Sequence, residues 1–258
     1  MSVAKINGQD IFYTDTGAGG EAAIFSHGFL MDGSMFDRQV EALRGEFRCV
    51  TWDERGHGRT PAQGPFTYWD SAEDALALLT SLGIERANFV GMSQGGFISM
   101  RAALLAPERV RSLVLIDTQS GLEDPEALPL YRAMHEEWVA DGPAGVQEAI
   151  ASIIFGGGVD VEPWYEKWGA LDRTAFTTPF NTLVDRDDIT DRLSEIGQPT
   201  LIIHGSADVA IPMWRAEQLA SGIPNARQIV VVPDAGHASN MSHPDLVNEA
   251  IVSFLHSL

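Results

Sequence analysis

The sequence predicts an α/β fold: a mostly parallel, twisted sheet with helices on both faces and a helical segment inserted late in the chain. Three observations predict it. Short, near-continuous apolar runs recur at residues 22–26, 48–52, 87–90, 110–116, 199–204 and 228–232. Such runs, bounded by turn residues, are strands covered on both faces, as in a parallel sheet. Helix-patterned stretches lie between several of them, and the alternation breaks once, between Gly121 and Glu195. That stretch holds helix-like pieces, a Gly156-Gly157-Gly158 run and eight aromatics: Tyr131, Trp138, Phe155, Trp164, Tyr165, Trp168, Phe176 and Phe180. Because it falls between two strand candidates, it reads as a helical cap over the C-terminal strand edge, where open α/β sheets place their sites. The expected organisation is a core of residues 1–120 and 196–258 with a cap at 121–195.

The remaining elements follow in order. Residues 3–6 and 11–14 are strand candidates joined by Asn7-Gly8, a hairpin signal. Gly17-Ala18-Gly19-Gly20 lacks dinucleotide or Walker spacing and reads as a turn. Ser71-Ala72-Glu73-Asp74 resembles a capping box with Asp in place of Glu, and Ala75, Leu76, Leu78, Leu79 and Leu82 follow at helical spacing. Residues 244–258 read as a closing amphipathic helix with Leu246, Val247, Ala250, Ile251, Phe254 and Leu255 on its apolar side.

A chain of 258 residues can bury one large core. The formal charge of -19 argues against nucleic-acid partners, which need clustered Lys and Arg. No apolar run reaches membrane-spanning length and no signal-type core follows Met1, so a soluble cytoplasmic enzyme without membrane partners is expected. The single cysteine, Cys49, excludes an intrachain disulfide, and its apolar strand setting makes it a buried hydrophobe. Oligomeric state is not legible.

The most informative motif is Gly91-Met92-Ser93-Gln94-Gly95-Gly96, which reads G-x-S-x-G directly after an apolar run and before a helix-like stretch at 97–106. In that context the serine sits on a sharp strand-to-helix turn with its hydroxyl exposed, a nucleophile elbow. The helix N-terminus offers unpaired N–H groups to an oxyanion. A serine nucleophile needs a base and an orienter for the base. Asp208, in His204-Gly205-Ser206-Ala207-Asp208, and His237, in Pro233-Asp234-Ala235-Gly236-His237, each follow a strand candidate, on the same sheet edge as Ser93. Asp117, after the preceding strand, competes with Asp208 for the acid.

With these blocks in this order, and with Ser26-His27-Gly28-Phe29 and Asp53-Glu54-Arg55-Gly56-His57-Gly58-Arg59-Thr60, the chain resembles the α/β-hydrolase superfamily over nearly its whole length. The nearest look is to its small-cap branch of 3-oxoadipate enol-lactonases, carboxylesterases and cofactor-free perhydrolases. The resemblance implies Ser93, Asp208 and His237 as the triad and the backbone N–H groups of Phe29 and Gln94 as the oxyanion hole. Serine at 93, where haloalkane dehalogenases and epoxide hydrolases use aspartate, sets those activities aside.

The expected function is hydrolysis of a small ester or lactone through an acyl-enzyme. A carbon–carbon hydrolase, a perhydrolase and a ligand-sensing receptor of this fold remain open as alternatives. His27 and His204 are expected to be hydrogen-bonded supports, and Arg55 to tie loops together. No cofactor is required, and the histidines show no metal-ligand spacing such as H-E-x-x-H. Trp138, Trp164 and Trp168 are the expected pocket aromatics. The 121–195 segment has 16 acidic and 5 basic residues, which points to neutral, moderately apolar substrates over anionic ones.

Overall fold

Alternate residues of a strand face opposite sides of the sheet, and here both sides are apolar. In the computed structural model, which describes residues 2–17 and 20–258, eight strands form one sheet. They are β1 (Ser2–Ile6), β2 (Gln9–Asp15), β3 (Ala22–Ser26), β4 (Arg48–Trp52), β5 (Ala87–Met92), β6 (Val110–Ile116), β7 (Thr200–Gly205) and β8 (Val230–Val232). The order is β1-β2-β4-β3-β5-β6-β7-β8; β2 pairs antiparallel with both β1 and β4, and the other pairings are parallel. The β1–β2 turn places Asn7 at φ 49° and Gly8 at φ 78°, the two left-handed residues of a tight hairpin. The turn expected at 17–20 rests mainly on Ala18 and Gly19, which lie outside the described residues.

Two clusters divide the core along the strand alternation. Ile24, Phe89, Leu113, Leu115 and Ile202 pack with α2 (Tyr68–Ser81), α3 (Gln94–Leu105) and, further along the chain, the Met213–Gly222 helix. Phe25, Val90, Val114, Ile116 and Ile203 face the other way, toward α1 (Asp37–Leu43) and the closing Pro244–Leu255 helix. On that closing helix Val247, Ile251, Phe254 and Leu255 are buried, whereas Leu246 is 47% exposed and does not belong to the apolar side.

The capping box lies one turn earlier than the sequence suggests. Thr67 and Asp70 cap each other's backbone at the start of α2, and Ser71 sits inside the helix. Asp74 is drawn instead into a buried ion pair with Arg55, at 2.5 and 2.8 Å, and a bond from Asn7. Arg55 thus ties the loop after β4 to α2. Cys49 is buried, and burial pushes its thiol up to about 12.

Glu54, in that same loop, is 1% exposed, and burial pushes its carboxyl up to about 8. The folded chain therefore holds the Glu54 proton more tightly than the unfolded chain, whose glutamates titrate near ~4.3. The associated stability is full below that value and drains away as pH rises through about 8. Glu54→Gln cannot ionise, so its melting temperature relative to wild type should climb steadily from pH 5 to pH 9. A pH-independent difference between the two melting curves would contradict this.

Between β6 and β7 lie four helices: α4 (Leu128–Asp141), α5 (Gln147–Phe155), α6 (Glu162–Ala170) and α7 (Thr177–Val184). The α6 helix is fastened to the loop after β3. Trp168 Nε1 donates to the Leu30 carbonyl at 2.8 Å, and Lys167 Nζ reaches Asp32 Oδ2 and Ser34 Oγ at 2.7 Å each. Truncating a buried aromatic of this kind costs roughly 3–5 kcal/mol. After β7 come α8 (Met213–Gly222), α9 (Ser239–Ser242) and α10 (Pro244–Leu255).

Candidate active site

At the C-terminal end of β5 the chain turns into α3 through Ser93, held at φ 52°, ψ −116°. A non-glycine residue there stores roughly 1–3 kcal/mol of strain, so neighbouring contacts must impose it. Ser93 N–H donates to the Ile116 carbonyl at 2.9 Å, and Thr118 Oγ1 donates to the Ser93 carbonyl at 2.7 Å. The flanking glycines allow the close approach: a Cβ on Gly91 would strike the Gly95 carbonyl, and one on Gly95 would strike the Ser26 carbonyl.

The turn brings three side chains into one hydrogen-bonded chain. His237 Nε2 lies 3.0 Å from Ser93 Oγ, and His237 Nδ1 lies 2.8 Å from Asp208 Oδ2. Asp208 Oδ1 accepts the backbone N–H groups of Ala210 and Ile211 at 2.8 and 2.9 Å, which fixes the carboxylate plane. With Nδ1–H committed to Asp208, Nε2 is the free base facing the hydroxyl. Burial disfavours charge on His237, but Asp208 outweighs it by its charge and hydrogen bond, so the imidazole pKa is raised. Asp208 is also buried, yet His237 and the backbone donors hold its carboxyl below its ordinary value.

Asp117, the competing acid, is occupied elsewhere. Fully buried, with φ 46°, it accepts Gly205 N–H through Oδ1 at 2.8 Å and Ser239 N–H through Oδ2 at 2.9 Å. It pins the backbone beside Asp208 and beside His237 rather than touching the imidazole. Burial, then the Asp208 charge, pushes its carboxyl up to about 6. Asp117, His204 and Asp208 bring potential ligand atoms within 4.8 Å of one another. Both carboxylates already accept protein donors, and His204 Nε2–H donates to the Ile211 carbonyl at 2.8 Å, so the cluster reads as a scaffold for the two loops.

Phe29 follows β3 and Gln94 opens α3. Among the described residues neither backbone N–H donates to a protein acceptor. Both positions are braced by buried side chains. His27 Nε2 accepts Glu54 N–H at 3.0 Å, so its Nδ1–H donates to the Gly28 carbonyl at 2.8 Å. The Gln94 side chain is gripped between Tyr68 Oη at 3.1 Å and His57 Nε2 at 3.4 Å. His57 is kept neutral by burial, its pKa driven down to about 3. His27, His57 and His204 are thus supports.

A cavity opens over Ser93 and His237, between the strand ends and the α4–α7 segment. Its wall is apolar, with Met134 of α4, Ile150 and Ile154 of α5, and Phe176 and Phe180 at α7. The expected pocket tryptophans are not there. Trp138, Trp164 and Trp168 are buried within the segment and pack with Phe155 and Phe176; the Trp138–Phe176 centroids are 4.7 Å apart. Trp138 shares the α4 stripe of Tyr131, Met134 and His135 but lies a turn farther along, inside the packing. The stripes Tyr131/Met134/His135 and Ile150/Ile153/Ile154 could have been read from their i, i+3, i+4 spacing, though the same spacing marks any buried helix face.

None of the five cations of residues 121–195 lines the cavity, and each has a protein partner. Arg132 approaches Asp185 at 3.7 Å, Lys167 pairs with Asp32, Arg173 donates to the Ala140 carbonyl, Arg186 pairs with Glu123 and Arg192 with Glu195. Among the described lining residues there is one carboxylate, Glu123, and no Lys or Arg.

Comparison with known proteins agrees with this fold. A family described as alpha/beta hydrolase fold matches residues 24–244. A Rhizobium rhizogenes protein bearing a carbamate-hydrolase name is 32% identical over 247 residues, covering 90% of this chain and 91% of its own. A thermophilic esterase from Thermogutta terrifontis superposes with a TM-score of 0.89 at 28% identity, covering 100% of this chain and 99% of the esterase. The enol-lactonase of Burkholderia xenovorans LB400 gives the same score and identity over 98% of this chain and 99% of its own.

Proposed function

The chain belongs to the α/β-hydrolase family, and from that premise we propose that it cleaves carboxylic esters or lactones through an acyl-enzyme on Ser93. The observation that carries this reading is the unbroken chain from Ser93 Oγ through His237 to Asp208. As Ser93 Oγ attacks the carbonyl carbon, His237 Nε2 takes its proton and Asp208 stabilises the imidazolium. The carbonyl oxygen, now an oxyanion, is held by the N–H groups of Phe29 and Gln94. Loss of one such donor costs roughly 2.7–4 kcal/mol in a comparable hydrolase. The C–O bond to the leaving group breaks and His237 gives that oxygen its proton. Water, deprotonated by the same nitrogen, attacks the acyl carbon and releases the acid, returning Ser93 to its hydroxyl form. The α4–α7 segment serves as the cap that shields these steps from bulk water.

The esterase and enol-lactonase neighbours support ester or lactone chemistry. The apolar wall, the single carboxylate among its described lining residues and the engagement of all five cap cations support neutral, moderately apolar substrates over anionic ones. Two charges about 5 Å apart at an effective dielectric near 20 interact by roughly 3 kcal/mol. A carboxylate-bearing ester should therefore show kcat/KM at least about tenfold below that of its neutral isostere at moderate salt. Preference for the anionic member would overturn the neutral-substrate reading. Repeated turnover, rather than one slow turnover with retained product, distinguishes an enzyme from a receptor of this fold.

A further inference from the structure

Glu123 is out of character with the cavity it lines. Its side chain is 9% exposed, in a wall otherwise built mainly from Met, Ile, Leu and Phe. A carboxylate in that setting must be compensated, and only half of it is. Oε1 accepts from Arg186 Nη1 at 2.6 Å, while Oε2 has no protein donor among the described residues. Arg186 is itself fixed from several sides. Its Nη1 also donates to the Leu183 carbonyl at 2.8 Å, its Nε donates to the Gly121 carbonyl at 3.0 Å, and its guanidinium lies 4.4 Å from the Phe97 ring centroid. Arg186 is 7% exposed and does not line the cavity. The cation thus offsets part of the charge from behind and locks the rotamer, leaving a rigid, desolvated acceptor in the cavity that Ser93 and His237 also line.

Building on the hydrolase reading above, we propose that Glu123 is a specificity residue whose free oxygen accepts a hydrogen bond from a donor group on the substrate, a hydroxyl, amide N–H or ammonium carried on one arm of the ester or lactone. Plain alkyl arms leave that oxygen unsatisfied in the closed pocket. A carboxylate arm meets it with like charge. Because the acceptor is positioned before binding, little ordering is needed when a donor arrives.

The test uses purified full-length protein and esters of graded chain length whose arm ends in methyl, hydroxyl, ammonium or carboxylate. One set carries the group on the acyl arm and another on the alcohol arm. Wild type, Glu123→Gln and Glu123→Gln/Arg186→Gln are compared; the double variant removes both charges together, so no buried cation is left unpaired. In wild type the hydroxyl or ammonium member should exceed the methyl member in kcat/KM by about tenfold or more, the range of a hydrogen bond to a charged group. That ratio should collapse in both variants, through KM more than kcat, while the carboxylate-to-methyl ratio rises about tenfold in Glu123→Gln. A merely structural role would lower all four substrates together. Ratios within twofold of wild type in both variants, with Ser93-dependent turnover of the methyl ester intact, would overturn the proposal and leave the hydrolase reading standing. If no ester is turned over, the hydrolase reading falls, and calorimetry with hexylamine and hexanoate still decides the role of Glu123. Selective binding of the amine by wild type and not by Glu123→Gln would support it, and equal binding would refute it.

Discussion

Ser93→Ala is expected to fold as wild type does and to lose ester turnover by about 10⁶-fold, the scale of a triad knockout in a well-studied serine hydrolase. The argument is chemical. Without Oγ no acyl-enzyme forms, and the contacts that shape the elbow, Ser93 N–H to Ile116 and Thr118 to the Ser93 carbonyl, are backbone-directed and survive the substitution. A fluorophosphonate should label wild type at Ser93 and leave the variant unlabelled. Equal labelling of both would place the nucleophile elsewhere and remove the basis of the proposed mechanism.

The second large effect separates two aspartates. Asp208→Asn deprives His237 Nδ1–H of its carboxylate and presents the wrong imidazole tautomer, a change that costs about 10⁴ in turnover in a serine protease. Asp117→Asn should behave differently. One of the two backbone N–H groups it holds, at Gly205 or Ser239, would face an amide N–H instead of an acceptor. That costs about 1–3 kcal/mol of stability while His237 keeps its partner. Thermal denaturation and kcat measured on both variants give the pattern directly: a stable but nearly inactive Asp208→Asn, and a destabilised Asp117→Asn whose activity loss is modest. The reverse pattern would move the acid one strand earlier.

Some of this is legible in the sequence. Strand runs and the hairpin at Asn7-Gly8 depend on neighbours within a few residues, and there the observed elements follow the expected ones closely. Where local signals compete, the sequence misleads. Ser71 and Asp74 look like a capping box, but Thr67 and Asp70 form it, because Asp74 is claimed by Arg55 nineteen positions away. The tryptophans of residues 121–195 are conspicuous in composition, yet size and apolarity say only that a side chain is buried, not against what. Trp168 bonds to Leu30, 138 positions earlier in the chain, and that contact turns it away from the cavity.

By itself the sequence determined the α/β alternation, the strained serine turn and the chain order of Ser93, Asp208 and His237 after successive strands, since each rests on local pattern and turn chemistry. The tertiary structure alone decided the distances among them, with Ser93 and His237 meeting across 144 positions. It alone directed Asp117 to backbone donors and Asp208 to the imidazole. It also neutralised Arg186 against Glu123, 63 positions apart, leaving one oxygen of that carboxylate free in the cavity wall. These outcomes depend on which partners folding brings within 3 Å, and neither composition nor periodicity carries that information.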